Sequence, residues 1–299
     1  MRRSPLPLPD RLLLGAHVSI AGGFVRAVER GVDLGCTAIQ IFVKNASQWR
    51  ARPLGAAEAA AFRSAHRASG IGPLVAHSTY LINLAARHPA VRERSRALTG
   101  VELDRCAALG AGALIVHPGA HLGAGEERGL ERVARSLDRV LAGRERQPVR
   151  LLLELTAGQG SLLGYRLEQL RRIIEMTDHP RKLGVCVDTC HAFAAGYALH
   201  TPDGYRAFWD ELDAGLGRER LGAIHLNDSR AGLGSRRDRH ANIGQGAIGL
   251  DTFARLLHDP ALAAVPKIIE TPSDDDFSGH RRDLEELRKL RRLAEGGPS

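Results

Sequence analysis

The stretch LLLELTAGQGSLLGYRLEQLRRIIEMTDHPRKLGVCVDTCH, residues 151–191, contains one complete copy of the unit on which the fold rests. Leu151 to Leu155 is a short apolar run broken by one carboxylate, Glu154, and its length suits a strand buried on both faces. Leu167 to Met176 spaces its apolar residues three and four apart, as a helix with one buried stripe does. Leu183 to Val187 is a second strand, which runs directly into Asp188 and His191. Strand, crossover helix and strand make a βαβ unit, and that unit builds parallel sheet.

The same rhythm continues in both directions. Apolar runs of strand length recur at Leu12–Val18, Ala38–Val43, Leu74–His77, Ala113–His117, Leu221–Leu226 and Lys267–Glu270. Between them lie amphipathic stretches at Glu58–Ser69, Arg94–Leu109, Glu126–Leu141, Gly204–Leu216 and Leu250–Leu257, several followed by a glycine (Gly70, Gly110, Gly143) where helices stop. Eight strands alternating with helices specify an α/β fold: a single (β/α)8 TIM barrel with a parallel eight-stranded sheet. The glycines of residues 15–23 fit a strand-to-helix turn and not the dinucleotide GxGxxG. No composition shift divides the chain, so residues 12–299 read as one barrel and 1–11 as an N-terminal arm.

Composition narrows the class further. The 299 residues are 43% hydrophobic, which excludes wholesale disorder. No window approaches 18 uninterrupted apolar residues, and the start MRRSPLPLPD lacks a signal-peptide core, so a cytoplasmic protein is expected. Cys36, Cys106, Cys186 and Cys190 lie in apolar segments and read as buried reduced thiols. The net charge of +8 favours an anionic partner. The alternating charges from Arg281 to Arg292 read as a solvated helix face.

The ends of the strands carry the chemistry. His17, His77, His117, Glu154, Asp188 with His191, His225 and Glu270 all stand at strand C-termini, and in a barrel those termini converge on one rim. Asp238 and His240, in the loop after strand seven, fall on one side of an extended segment. Excluding His17, these are nine candidate metal ligands: His77, His117, Glu154, Asp188, His191, His225, Asp238, His240 and Glu270. A carboxylate amid Leu151, Leu152 and Leu153 is costly to bury unless it is paired or metal-bound. Imidazole and carboxylate without thiolate suit zinc or manganese, and the set could hold two or three ions. Adjacent cations lower the pKa of a shared water and neutralise a phosphoryl transition state, the apparatus of phosphodiester hydrolysis. Glu154, Asp188, His225 and Glu270 are the candidate catalytic set.

The rim loops suggest the substrate. Lys44, Trp49 and the arginines beside it follow strand two, Tyr80 and Leu81 follow strand three, and Arg236, Arg237 and Arg239 follow strand seven. Basic groups bind backbone phosphates, and an exposed aromatic or aliphatic wedge enters a base stack.

Taken together, GAHVSIAGG (15–23), FVKNASQW (42–49), AHSTYLINLA (76–85), VHPGAH (116–121), LELTAGQGSLLG (153–164), GVCVDTCHAFAAGY (184–197), HLNDSRAGLGSRRDRHANIGQG (225–246) and IIET (268–271) resemble endonuclease IV. This is the zinc-dependent AP endonuclease family within the xylose isomerase-like barrels. The resemblance implies three Zn2+ ions, with Mn2+ accepted in part. His77 and His117 would hold the first, with Glu154 bridging to a second completed by Asp188, His225 and Glu270; His191, Asp238 and His240 would hold the third. It implies a deoxyribonuclease IV, a DNA-repair hydrolase acting as a monomer on duplex DNA. The enzyme would cut 5′ to an abasic site, leaving a 3′-hydroxyl and a 5′-deoxyribose phosphate, and would clean blocked 3′ ends. Tyr80 and Leu81 would enter the helix when the abasic nucleotide flips out. Leu155, Ser47 and Gln245 depart from the family pattern, placing a hydrogen bond beside the bridging glutamate, a DNA contact and a rim carboxylate in question. The competing expectation is a one-metal sugar isomerase or epimerase of the same barrels, which would use Glu154, Asp188, His225 and Glu270 alone.

Overall fold

The computed structural model describes residues 12–295; the expected N-terminal arm, 1–11, lies outside the described residues. The strands are β1 (Leu14–His17), β2 (Ala38–Phe42), β3 (Leu74–His77), β4 (Ala113–Val116), β5 (Arg150–Glu154), β6 (Leu183–Asp188), β7 (Leu221–His225), the two-residue β8 (Asp228–Ser229) and β9 (His240–Ala241), and β10 (Lys267–Ile269). Eight of them close into a barrel in the order β1-β10-β7-β6-β5-β4-β3-β2, every neighbour parallel. The helices are α1 (Phe24–Asp33), α2 (Ala56–Ser69), α3 (Pro89–Leu109), α4 (Glu126–Leu141), α5 (Leu167–Glu175), α6 (Thr189–Ala195), α7 (Pro202–Gly215), α8 (Leu250–His258) and α9 (Ser278–Glu295). This is the expected (β/α)8 barrel, with strand ends within a residue or two of the apolar runs. Helix α3 begins earlier than the periodicity indicates, because Pro89 supplies a favourable first helical residue. No helix among the described residues is long and apolar enough to cross a membrane.

Two apolar layers hold the barrel together. The larger lies between the sheet and its helices. The smaller fills the barrel interior and comprises Ala38, Val75, Ala113, Ile115, Leu152, Cys186, Ala223 and Ile268. Side chains alternate along a strand, so the residue two places further on projects into the interior one layer higher. From Ala38, Val75, Ile115, Leu152, Cys186, Ala223 and Ile268 that step reaches Gln40, His77, His117, Glu154, Asp188, His225 and Glu270. The polar rim therefore rests on an apolar floor of low dielectric, where electrostatic interactions are strengthened.

Helix α9 has the expected solvated face, with Arg281, Arg282, Glu285 and Lys289 exposed, and docks the opposite one. Leu284 and Leu287 are buried, Arg281 donates to the Asp33 carbonyl, and Arg288 donates to the carbonyls of Leu34 and Gly35. Alternating charge at helical spacing does not reveal that one face carries arginines long enough to reach main-chain acceptors.

A buried carboxylate closes the segment 226–248 on itself. Asp228 accepts hydrogen bonds from the amides of Ser229, Gly244, Gly246 and Ile248 at 2.8–3.0 Å. A Cβ on Gly246 would lie 2.4 Å from the Asp228 carboxylate, so only glycine allows this closure. β8 and β9 pair antiparallel within it, returning the chain to the rim at His240. Asp228→Ala leaves these amides without their acceptor. At about 1–3 kcal/mol per unsatisfied buried group, partly offset by water, a loss of roughly 2–4 kcal/mol is expected in denaturant unfolding. A loss below about 0.5 kcal/mol would show that the segment is held by other means.

Candidate metal centre

Glu154, at the end of β5, is fully buried, and its two oxygens face different histidines. Oε2 lies 2.9 Å from His77 Nε2 and 3.2 Å from His117 Nε2. Oε1 lies 3.2 Å from His191 Nδ1 and 3.3 Å from His225 Nδ1. All nine residues expected as ligands come together around this carboxylate. They form three groups whose ligating atoms lie within 4.8 Å of one another: His77, His117 and Glu154; Glu154, Asp188, His225 and Glu270; His191, Asp238 and His240. Glu154 belongs to two of them. A fourth combination adds Cys190 to Asp188 and His240. Burial, aided by the charge of Asp188, pushes the Cys190 thiol up to about 12, so it stays protonated and a poor ligand.

Local sequence explains how the side chains reach their places. Asp188 is the N-cap of α6 and accepts from the His191 amide at 2.8 Å, which fixes the first turn and the position of His191. Its other oxygen accepts from Asn227 Nδ2 at 2.6 Å, and Asn227 Oδ1 accepts from the Glu270 amide at 2.8 Å. Asn227 thus ties β6 to the end of β10. Main-chain carbonyls orient three imidazoles: Ser78 O lies 2.7 Å from His77 Nδ1, Leu155 O 3.0 Å from His191 Nδ1, and Glu270 O 3.2 Å from His240 Nδ1. Each leaves Nε2 to face the centre. Leu155 therefore supplies a hydrogen bond to the site through its carbonyl, whatever its side chain.

Asp238 and His240 meet as alternation requires: Asp238 lies 3.2 Å from both His191 Nε2 and His240 Nε2. The buried His240 Nε2 nevertheless has no hydrogen-bond partner. Two ligating atoms that approach without hydrogen-bonding geometry share a target instead of each other. Together with a donor set of imidazoles and carboxylates, this fits divalent cations.

The electrostatics agree. Burial opposes ionisation of Glu154, but His117 and His225 outweigh it and hold the carboxyl well below its usual range. Burial likewise opposes charge on His191, and the carboxylates of Asp188, Asp238 and Glu154 overcome it, raising the imidazole well above 6.5. His225 is raised too: against burial stand Cys186, Glu270 and Glu154. Asp238, despite burial, is lowered to about 2 by His191 and His240. The carboxylates and imidazoles of this centre thus favour one another's charged forms.

The rim residues fare differently. Lys44 is only 4% exposed, and its ammonium donates to the carbonyls of Asn45 and Gln48. It braces its own loop, which lines a cavity of about 670 Å³ together with Arg50, Arg52 and Arg105. Trp49 is half-buried beneath the Arg94 guanidinium, 4.3 Å from the ring centre. Tyr80 is 68% exposed beside His77 and His117, with ring centres 5.6 and 6.3 Å away, while Leu81 is half-buried. Arg236, Arg237 and Arg239 are exposed and line a cavity of about 510 Å³ with Arg230 and Gln159. Arg236 sits over the Tyr165 ring at 4.8 Å. Ser47 and Gln245 are exposed, and their side chains hold nothing at the metal centre.

Two residues of the centre had no expected role. His17 Nδ1 lies 3.0 Å from Glu270 Oε1, and Gln40 reaches both Glu270 and His225. Gln40 leaves a signal in the sequence, a polar residue at the middle of the apolar run AIQIF.

The class of protein follows from this fold and the residues on its rim. Residues 28–293 match the family model of the xylose isomerase-like TIM barrel. The chain is 49% identical over 284 residues to a probable endonuclease 4 of Citrifermentans bemidjiense, covering 95% of this chain and 99% of that protein. It is 50% identical over 281 residues to a probable endonuclease 4 of Chloroflexus aurantiacus, covering 94% and 99%. The crystal structure of endonuclease IV from Thermus thermophilus superposes with a TM-score of 0.83 at 40% identity, covering 94% of this chain and 99% of that one. A D-tagatose 3-epimerase-like protein superposes with a TM-score of 0.70 at 18% identity, a likeness of fold alone. The chain belongs to the endonuclease IV family, whose members depend on metal.

His191 and His225 titrate above the ordinary imidazole value of 6.5, so their contribution to stability is present below about 6.5 and is lost as pH rises through their folded values. Asp238 titrates below its ordinary 3.8, so its contribution is present above 3.8 and is lost as pH falls toward about 2. Chelator-stripped protein is therefore expected to melt at a lower temperature at about pH 9 than at about pH 6. Equal or higher melting temperature at the alkaline pH would refute this pairing of charges.

Proposed function

We propose that the three groups are zinc sites of a DNA-repair AP endonuclease, which hydrolyses the phosphodiester 5′ to an abasic site in duplex DNA and also cleans blocked 3′ ends. The observation that carries the reading is the sharing of Glu154 between two ligand groups, with a third group beside them on the same rim. His77 and His117 with Glu154 would hold one ion, Glu154 with Asp188, His225 and Glu270 a second, and His191 with Asp238 and His240 a third. When bound, these ions supply Lewis acidity to the phosphate and lower the pKa of a water; manganese suits the same ligands.

The chain's own residues do the rest. Its buried carboxylates hold the centre ionised, and main-chain carbonyls keep the imidazoles turned toward it. Tyr80 stands at the mouth, largely exposed beside His77 and His117, where its ring would replace a base in the stack, which suits a lesion where no base remains. The arginines beside Asp238 place positive charge where a phosphate backbone would pass. The products would be a 3′-hydroxyl and a 5′-deoxyribose phosphate. The one-metal sugar isomerase accounts for Glu154, Asp188, His225 and Glu270 but leaves His77, His117, His191, Asp238 and His240 without a task.

Wild type is expected to cleave an oligonucleotide duplex on the 5′ side of a single abasic site, and Glu154→Ala to fall by more than about 100-fold, since loss of even an outer partner of a metal ligand costs about 10–100-fold. Wild-type turnover by Glu154→Ala with full metal would remove Glu154 from the chemistry. Substituting both Arg236 and Arg237 with Ala is expected to flatten the dependence of log K on log salt by about 0.9 for each phosphate no longer neutralised. An unchanged slope would exclude them from the footprint.

A further inference from the structure

We propose that Gln40 is a positioning residue that imposes the tautomer of His225 and so makes its Nδ1 a metal ligand. The inference rests on the metal-centre reading above. Gln40 lies mid-strand in β2, fully buried. Its Nε2 is 2.6 Å from Glu270 Oε1 and 2.9 Å from His17 Nδ1, and its Oε1 is 2.8 Å from His225 Nε2.

The two ends of a carboxamide have the same shape, and only their partners tell them apart. Here the partners leave one arrangement. An ionised carboxylate only accepts, so the amide NH2 faces Glu270. The amide oxygen then faces His225 Nε2, and it too only accepts. Once a metal takes the place of the other ring proton, His225 must therefore carry its remaining proton on Nε2. Nδ1 faces Glu270 Oε2 (3.1 Å), Glu154 Oε1 (3.3 Å) and Asp188 Oδ2 (3.7 Å), the group that would hold the middle ion, and its lone pair becomes available when that ion displaces the Nδ1 proton. With the amide reversed, its NH2 would demand a lone pair on Nε2. The His225 proton would then sit on Nδ1 and block coordination. Glu270 has two tasks in this arrangement: Oε2 faces the ion's place while Oε1 clamps the amide. His17, packed on Phe42 with ring centres 4.4 Å apart, closes the same corner.

His225 differs here from the other oriented imidazoles. His77, His191 and His240 are turned by main-chain carbonyls, which no substitution removes. His225 is turned by a side chain, so one substitution releases it.

The test uses the full-length protein with Zn2+. Gln40→Leu keeps the approximate size of the side chain and removes both polar atoms, and Gln40→Glu keeps an acceptor for Nε2. Chelator competition is expected to show one ion of the three bound roughly 10–100-fold more weakly in Gln40→Leu, with the other two unchanged. A long-range 1H–15N spectrum of the zinc-loaded wild type is expected to place the His225 proton on Nε2; Gln40→Glu should retain it there and Gln40→Leu should lose it. Three ions held with wild-type affinity by Gln40→Leu would overturn the proposal. So would uniform weakening of all three ions, which is the signature of a packing role only. If Gln40→Leu does not fold, Gln40→Met carries the same readouts. A wild type that binds zinc in this way but leaves abasic DNA intact would defeat the functional reading and not this one.

Discussion

A carboxylate buried completely inside a barrel governs this molecule. Placing an ion such as Glu154 above a floor of leucine, isoleucine and alanine costs several kcal/mol unless opposite charge surrounds it closely. Four imidazoles, from β3, the end of β4, α6 and β7, supply those surroundings within 3.3 Å. They leave a second problem, because Asp188, Glu270 and Asp238 crowd the same space. Divalent cations would relieve that crowding. The features that make the centre expensive to assemble therefore make it a strong attractor for metal.

Most of the remaining architecture serves to hold that cluster still. Asp188 caps a helix and positions His191 with one oxygen while facing the centre with the other. Asn227 joins the ends of two strands, and Asp228 closes the long segment that delivers Asp238 and His240. Each is a short polar side chain that satisfies backbone groups no regular element reaches, the general solution where strands end beside a site. Leu155 contributes through its main chain in the same way, its carbonyl meeting His191 Nδ1.

The barrel itself is shared with epimerase structures at under 20% identity, a likeness of fold alone; in this chain one ligand group stands on strands five, six, seven and the last barrel strand. Further candidate ligands of this chain stand around that group. His77 and His117 come from the ends of strands three and four. His191 comes from the short helix α6, and Asp238 and His240 come from the segment closed by a two-residue antiparallel pair. Function here resides in residues added to a common frame.

The frame and the ligands could be read from local pattern. Eight apolar runs alternating with amphipathic stretches specify the barrel, and polar residues two places beyond interior positions specify its rim, because side-chain alternation is local and strand ends in a barrel converge. Asp238 and His240 were legible for the same reason. Which residues share a partner is settled in three dimensions alone: that Glu154 divides its oxygens between two pairs of histidines, that Lys44 turns inward, that α9 docks one face, and that Gln40 joins Glu270 to His225. Those facts depend on contacts between residues as many as 254 positions apart, and no local pattern records the orientation of an amide or the direction a lysine takes.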